Sequence, residues 1–213
     1  MIQILFEGLV RTMREYVEEK KKYLQKVNDI QNNWEYSDQK KGELTNNAKS
    51  EFSAKKEQYI KKFADNTERI KKAFKDKQKD FRLDNPALNN AMFFIVNVGM
   101  KKDADFSVNP ELIESIASEF IGDTRSLNML ISIAESNGIS KSAIDSIKEF
   151  TYSDAELDAV LEKFINALDG GTVVDYVATN LNKVARKCNI KLDYEVHDEI
   201  GQTALIRKAM GLN

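Results

Sequence analysis

Cysteine and histidine are the scarcest reactive residues of this 213-residue chain, which has one of each. The single cysteine, Cys188, excludes an intramolecular disulfide and a cysteine-based structural zinc site within one chain. We therefore expect it to be a small buried hydrophobe. The single histidine, His197, would have to take part in any Ser-His-Asp or Cys-His catalytic arrangement. With one cysteine and one histidine, the chain has few residues that could perform the commonest forms of nucleophilic catalysis.

Long hydrophobic runs are absent as well. The longest run, residues 91–98, is interrupted by Asn97 and is shorter than the roughly 20 residues of a membrane-spanning helix. Residues 1–10 have no basic region and include Glu7, so they do not resemble a secretory signal. The chain is 42% hydrophobic and 31% charged, with a net charge of −2. We therefore predict a folded, cytoplasmic protein with no membrane contact.

Proline and glycine are rare in the first 84 residues, since both prolines and seven of the nine glycines follow residue 84. The balance of basic and acidic residues changes at the same position. Residues 1–84 hold 20 basic and 15 acidic side chains, whereas residues 85–213 hold 12 and 19. Pro86 also disfavours a helical conformation at Asn85. The sequence therefore predicts two domains, a long helical hairpin over residues 1–84 and a small acidic all-helical domain over residues 85–213.

An apolar heptad pattern runs through the first 34 residues. Its spacings alternate between four and three, which is typical of a coiled-coil helix. The pattern is interrupted only at Lys20, and its positions are Ile2, Phe6, Leu9, Met13, Tyr16, Lys20, Tyr23, Val27, Ile30 and Trp34. Val10, Val17 and Leu24 form a second apolar column beside it. Because this face is wider than a two-stranded coil needs, we expect the helix to have more than one neighbour.

A second long helix is predicted after a turn at residues 35–42, which lack apolar periodicity and end in Gly42. The two helices would span about 2–36 and 43–83 and form an antiparallel hairpin. The second helix carries an eleven-residue apolar repeat. Its positions are Ala48, Phe52, Tyr59, Phe63, Ile70, Phe74 and Phe81.

We expect the hairpin to self-associate into a homo-oligomer, because long polar helices are stabilised by packing rather than by intrinsic propensity. Replacing both Leu9 and Val27 by Asp should then dissociate the oligomer, since each change places an unpaired charge in the apolar seam. The residues expected at this interface are Phe6, Leu9, Met13, Tyr16, Tyr23, Val27, Ile30, Trp34, Phe52, Tyr59, Phe63, Ile70 and Phe74.

Residues 85–213 show the start and stop signals of several short helices. Proline or capping residues indicate starts at Pro86, Pro110, Asp123, Ser140 and the capping box at 153–156. The hydrophobicity of residues 91–98 favours a central buried helix, with a buried strand as the alternative. A short strand is also considered for residues 190–197. The predicted fold class is all-α: a long N-terminal antiparallel coiled-coil hairpin followed by a compact multi-helix domain.

Residues 130–150 resemble a helix-turn-helix. Ala134 precedes Gly138 by four residues, and Ile139, Ile144 and Ile147 suit the angle between two helices. The resemblance implies DNA recognition by the second helix. However, a helix that enters the major groove needs basic surroundings, and the exposed positions of this helix are nearly neutral. The sequence therefore favours a packing turn.

The predicted helix over residues 49–82 is basic, with 12 Lys or Arg side chains and six acidic ones. Such a surface can follow a phosphate backbone. Its lysines surround the helix instead of forming one stripe, so a solvated surface is favoured. A nucleic-acid-associated protein that uses residues 49–82 and 130–150 is the alternative function.

Asp193, Glu195 and His197 alternate and would share one face of a strand. Oxygen and imidazole ligands at this spacing can bind a divalent metal. No second histidine or cysteine supports such a site, so a solvated turn is favoured. We predict no metal, no cofactor and no enzymatic activity.

The organisation of the chain favours a non-enzymatic structural or assembly protein. In this hypothesis the hairpin self-associates or binds a protein partner, and the acidic helical domain contacts something else. The layout is similar to that of scaffold and virion-assembly proteins of tailed phages, which join long charged helices to a small helical module. That likeness implies a role in building a larger assembly.

Overall fold

The structure, a computed structural model, describes residues 1–78, 84–100 and 110–209. In these ranges the chain is helical and has no strand, which confirms the predicted all-α class. The helices are α1 (Ile2–Asn32), α2 (Asp38–Lys77), α3 (Pro86–Met100), α4 (Pro110–Ser118), α5 (Thr124–Ser136), α6 (Lys141–Glu149), α7 (Asp154–Leu168), α8 (Val174–Lys187) and α9 (Glu199–Ala209).

The two long helices α1 and α2 form the predicted antiparallel hairpin. Lys26 near the end of α1 contacts Glu51 in the first half of α2, with Nζ 2.7 Å from the carboxylate oxygen. Lys62 further along α2 contacts Glu15 further back on α1, at 2.6 Å. The order of these pairs is opposite on the two helices, which defines the antiparallel arrangement.

The turn between the two helices lies earlier in the sequence than the predicted turn at residues 35–42. α1 ends at Asn32, and α2 begins at Asp38, so Gly42 lies inside a helix. The Ser37 hydroxyl accepts a hydrogen bond from the backbone N–H three residues later, at 3.3 Å, and this bond starts α2 before the glycine. A glycine inside a helix costs only about 1 kcal/mol, which packing offsets. The predicted helix end near residue 83, with Phe81, lies outside the described residues.

Packing divides the chain into two compact units that do not follow chain order. Unit 1 comprises Met1–Lys71, Leu157–Asn182 and Leu192–Asn213. Unit 2 comprises Lys72–Glu156 and Lys183–Lys191. The two predicted domains, 1–84 and 85–213, stay a prediction, because a unit defined by packing is not the same as a part that folds alone.

In unit 1, α7 packs on the hairpin through aromatic side chains. Phe164 stacks on Phe63 with ring centroids 4.4 Å apart, and it meets Tyr16 edge-on at 6.1 Å. Tyr16 also meets Tyr59 edge-on, at 5.9 Å. Phe164, Phe63 and Tyr16 are at most 1% exposed, so this cluster is the centre of the unit's core.

In unit 2, the core is formed by α3 to α6. Its most deeply buried side chains are Leu88, Ile95, Ile113, Ala117, Leu127, Leu130, Ala134, Ala143 and Ile147. Residues 91–98 are helical, so the strand alternative is wrong. The prediction of an all-round buried helix is also wrong, because Phe93 is 72% exposed. The fully buried side chains of α3, among those described, are Leu88, Ala91 and Ile95, which share one face of the helix.

The segment that resembles a helix-turn-helix consists of α5, a turn and α6. Gly138 takes a φ of +69°, which glycine adopts without strain. The Ile139 N–H then donates to the Ala134 carbonyl at 3.0 Å and closes the end of α5. Ala134, Ile139, Ile144 and Ile147 are all buried. The turn therefore packs apolar side chains, as its sequence predicts.

The segment after α8 is neither helix nor strand, so the short strand considered for residues 190–197 is not formed. Asn189, two residues beyond the end of α8, has a φ of +58°. The Ile190 N–H donates to the Ala185 carbonyl at 2.9 Å. Burial nevertheless alternates, since Leu192, Val196 and Asp198 are buried. We call Leu192–Asp198, which belongs to unit 1, the strap.

Candidate interaction surface on the hairpin

The structure places the thirteen predicted interface residues at very different depths within one chain. The buried ones are Phe6, Leu9, Met13, Tyr16, Phe63 and Ile70, at most 1% exposed, with Ile30 at 8% and Phe74 at 3%. The half-buried ones are Tyr23, Val27, Phe52 and Tyr59. Trp34 is 87% exposed. Most of the set thus serves the core of the chain itself, and its role between chains stays a prediction.

Lys20, which interrupts the heptad seam, has a partner in the strap. Its Nζ contacts both carboxylate oxygens of Asp198, at 3.0 and 3.1 Å. The side chains are 16% and 1% exposed, so the pair is largely withdrawn from water. Asp198 also accepts from the Gly201 N–H at 2.9 Å, and its own N–H donates to Asp175 at 2.8 Å. Asp198, which lies 178 residues later in the sequence, therefore neutralises the charge that Lys20 places in the apolar seam.

Arg14 holds the other end of the strap. Its guanidinium donates to the backbone carbonyls of Glu195, at 2.9 Å, and Asp193, at 3.3 Å. It also pairs with the Asp193 carboxylate at 3.2 Å. This contact is exposed to solvent, with side chains 45% and 80% accessible. The strap is thus fixed by one exposed and one buried cation of the same helix.

The second apolar column of α1 lies, on the helix surface, between the two residues that hold the strap. On a helix of 3.6 residues per turn, Lys20 lies about 120° from Arg14, and Val10 and Val17 lie between them at about 40° and 60°. Val10 and Val17 are 2% and 3% exposed, whereas Leu24, the next member of the column, is 38% exposed. On the wide face predicted to need another neighbour, Val10 and Val17 are therefore buried within a single chain, whereas Leu24 is not.

The half of the hairpin that includes the turn is held together by contacts between α1 and α2. Tyr23 stacks on Phe52 with ring centroids 4.4 Å apart, and Gln31 donates to Thr45 at 2.9 Å. Among the described residues, the hydrogen bonds, ion pairs and ring contacts of residues 21–55 stay within the hairpin.

The free end of the hairpin combines an exposed tryptophan with an adjacent groove. Trp34 lies in the turn between α1 and α2. The groove is open, about 720 Å³ in volume, and lies against the same turn through Asn33 and Tyr36. Its lining residues are Lys21, Lys22, Gln25, Lys26, Asp29, Ile30, Asn33, Tyr36 and Leu44. We call Trp34 and this groove the hairpin-end surface.

Charge at the hairpin-end surface is mostly paired. Lys21 contacts Glu18 at 3.1 Å, and Lys26 contacts Glu51. The hydrogen bond from Lys26 lowers the pKa of the Glu51 carboxyl. The groove is thus lined by three lysines and one aspartate, and two of the three lysines are paired with carboxylates of the hairpin.

The basic helix predicted over residues 49–82 is partly neutralised. Lys56 contacts Asp169 at 2.9 Å, and Lys71 contacts Asp158. Lys55 and Lys62 pair with acidic side chains of α1. Sequence reasoning missed these pairs because the acidic partners are distant along the chain.

The candidate metal ligands Asp193, Glu195 and His197 lie on the exposed side of the strap. Asp193 is occupied by Arg14. Within the described ranges, no group of three or more His, Cys, Asp or Glu side chains is arranged to hold a metal ion. Their alternation follows from the strap's burial pattern, with polar side chains facing solvent.

Cys188 is buried, as predicted from its type. Burial raises the pKa of its thiol from 9.0 to about 12. At pH 8 the folded protein should therefore hold about 1,000-fold less thiolate than the unfolded chain. We expect labelling by a disulfide reagent to be at least that much slower in native buffer than in urea. Equal labelling rates in the two solvents would contradict the burial of this thiol.

No protein-family model, curated protein or solved structure matches the chain. In the part of the chain that the structure describes, no helix is both long and apolar enough to cross a membrane. The geometry of the described residues is therefore the basis for a functional proposal.

Proposed function

We propose that this protein is a non-enzymatic assembly protein that self-associates through the hairpin-end surface. The observation that carries the proposal is Trp34, an aromatic side chain left 87% exposed at the turn of a two-helix hairpin. Tryptophan buries a large apolar area when it is covered, and it is enriched among the residues that dominate binding energy.

A second copy of the chain is the partner that this surface suits. Trp34 lies in the same turn as Asn33 and Tyr36, which line a groove of about 720 Å³. This volume is within the size range of pockets that receive small apolar groups. In a two-fold dimer, each copy's tryptophan could enter the other copy's groove, so one patch supplies both the protruding group and its receptor. Apolar lining from Ile30, Leu44 and Tyr36 supports such a contact.

The proposal is tested by comparing the variant Trp34→Ala with the unchanged protein in size-exclusion chromatography with light scattering. The unchanged chain should show a mass that rises with concentration from 24.3 kDa toward twice that value. Loss of a binding residue of this class costs 2 kcal/mol or more, so Trp34→Ala should weaken dimerisation by about 30-fold or more.

Phe93→Ala serves as the matched control, because Phe93 is another strongly exposed aromatic side chain, at 72%. It lies in α3 of unit 2 and should leave dimerisation unchanged. Equal weakening by both variants would show that association is non-specific. An unchanged dimer in Trp34→Ala would contradict the proposal.

Nucleic-acid association is the second candidate, favoured by basic side chains of α2 that have no acidic partner. Lys49, Lys61 and Arg69 are exposed and form no ion pair among the described residues. Retention on heparin or a gel shift with duplex DNA that disappears between low and physiological salt would support this candidate. Absence of retention at low salt would exclude it.

A further inference from the structure

We infer that Lys22 and Asp29 select the partner and the register of the hairpin-end dimer, with Lys22 of each copy paired to Asp29 of the other. This inference rests on the proposed function, because it concerns the same hairpin-end surface. It goes further by naming the two side chains that make a second copy of this chain the matching partner. Both line the groove and are exposed.

Lys22 and Asp29 are the charged groove residues that the hairpin leaves without an ionic partner. The other two groove lysines pair with carboxylates of the hairpin. In the part of the chain that the structure describes, Lys22 forms no ion pair, and Asp29 accepts a hydrogen bond from the Gln25 amide at 2.8 Å but meets no cation. One cation and one anion of the groove therefore stay unpaired.

These two charges do not neutralise each other within one chain. They are seven residues apart on α1, which places them on one side of the helix, within about 20° of each other. The same spacing separates them by about 10 Å along the helix axis. Ion pairs on a helix join side chains three or four residues apart. Each charge is therefore available to another molecule.

A second copy is the molecule that matches both charges at once. In a two-fold contact, residue i of one copy meets residue j of the other, and j meets i. When α1 of the two copies run antiparallel about an axis near residue 27, Lys22 of each copy lies within about one helical turn of Asp29 of the other. A parallel pairing would place each charge opposite its own kind. A polyanion would be repelled by Asp29.

The same arrangement brings Trp34 to the groove of the other copy. Trp34 lies seven residues beyond the axis, just past the end of α1 at Asn32. Its counterpart across the axis is the part of α1 next to Lys21, which lines one end of the groove. The unpaired charges and the exposed aromatic side chain therefore agree on one register.

The two ion pairs act on specificity more than on affinity. Exposed ion pairs add little to binding, whereas like charges placed opposite each other disfavour a complex. Each contact occurs twice in a two-fold dimer, so a single charge reversal per chain creates two repulsive contacts. Such a reversal should therefore raise the Kd of self-association by about 10-fold or more.

The test uses the full-length variants Lys22→Glu and Asp29→Lys, alone and mixed, in light scattering over a series of concentrations. Alone, each variant should dimerise with a Kd about 10-fold or more above that of the unchanged protein. In an equimolar mixture, the carboxylate introduced at position 22 meets the lysine introduced at position 29. The native Asp29 of the first variant meets the native Lys22 of the second. The mixture should therefore form a heterodimer as tightly as the unchanged protein forms its dimer.

Lys49→Glu is the matched control, because Lys49 is an exposed lysine of the same hairpin that does not line the groove. It makes the same change of net charge as Lys22→Glu and should leave dimerisation unchanged. All three positions are exposed, so the variants should keep the stability of the unchanged protein, which circular dichroism checks. A mixture no tighter than its two components would overturn the inference, as would equal weakening by Lys49→Glu.

Failure of this inference is distinguishable from failure of the proposed function. If the unchanged protein dimerises and Trp34→Ala weakens the dimer, but Lys22→Glu and Asp29→Lys dimerise normally, the inference is overturned and the proposed function stands. If the unchanged protein stays at 24.3 kDa at every concentration, both are contradicted.

Discussion

Replacing Asp198 by Ala should lower the free energy of unfolding by about 3–5 kcal/mol. The change leaves the Lys20 ammonium, whose side chain is 16% exposed, without its carboxylate partner. It also removes the acceptor for the Gly201 N–H at the start of α9. Urea unfolding followed by circular dichroism measures the loss.

The control for this prediction is Asp193→Ala, which removes the carboxylate of the exposed pair. Exposed ion pairs contribute about 0–1 kcal/mol, so this variant should be nearly as stable as the unchanged protein. The double change Lys20→Met with Asp198→Asn should recover part of the loss, since no buried charge remains. Equal and small losses for Asp198→Ala and Asp193→Ala would contradict the burial of the Lys20–Asp198 pair.

Replacing Phe164 by Ala should lower the free energy of unfolding by about 3–5 kcal/mol, the usual range for a fully buried phenylalanine. Phe164 is 0% exposed and contacts the rings of Phe63 and Tyr16. Its removal leaves a cavity between α7 and the hairpin in unit 1. Thermal unfolding monitored by circular dichroism should show a clear decrease in Tm.

Phe93→Ala is the matched control, with the same atoms removed from a side chain that is 72% exposed. Surface substitutions of this kind change stability by about 0.5 kcal/mol or less. A Phe164→Ala variant as stable as Phe93→Ala would show that α7 does not complete the hairpin's core. The comparison separates a packing role from a general effect of losing an aromatic ring.

Local signals in the sequence predict the helices of the second half of the chain well. Asp123 caps α5 through the Ser126 N–H at 3.1 Å, and Ser140 caps α6 through the Ala143 N–H at 3.4 Å. Pro110 begins α4, as predicted. These signals work because a cap acts within three residues of its own position.

Packing partners that are distant along the chain are beyond such local signals. The heptad pattern correctly indicates that α1 needs more than one neighbour, but it does not identify Phe164 or the strap as those neighbours. Lys20 appears in the sequence only as a break in the seam, because its partner Asp198 lies 178 residues away. The same limit applies to the double variant Leu9→Asp with Val27→Asp, which was designed to dissociate an oligomer. Leu9 is 0% exposed within one chain, so its replacement tests folding as well as association.

Exposure of single side chains is equally hard to derive from periodicity. Trp34 continues the heptad spacing of α1, yet the helix ends at Asn32 and leaves the ring in the turn. Phe93 sits in an apolar run whose other face supplies the core of unit 2. In both cases the spacing of apolar residues predicts the helix correctly. Whether a given side chain is buried depends on where the helix ends and on which elements pack against it.

The most direct test of self-association through the hairpin end follows the fluorescence of Trp34, the only tryptophan of the chain, as protein concentration rises. Light scattering on the same samples gives the mass. We predict that the emission maximum moves to shorter wavelength in parallel with a rise in mass from 24.3 kDa toward twice that value, because the exposed ring becomes buried between two copies. A rise in mass with the emission of an exposed tryptophan, or a constant mass of 24.3 kDa, would contradict the proposed function.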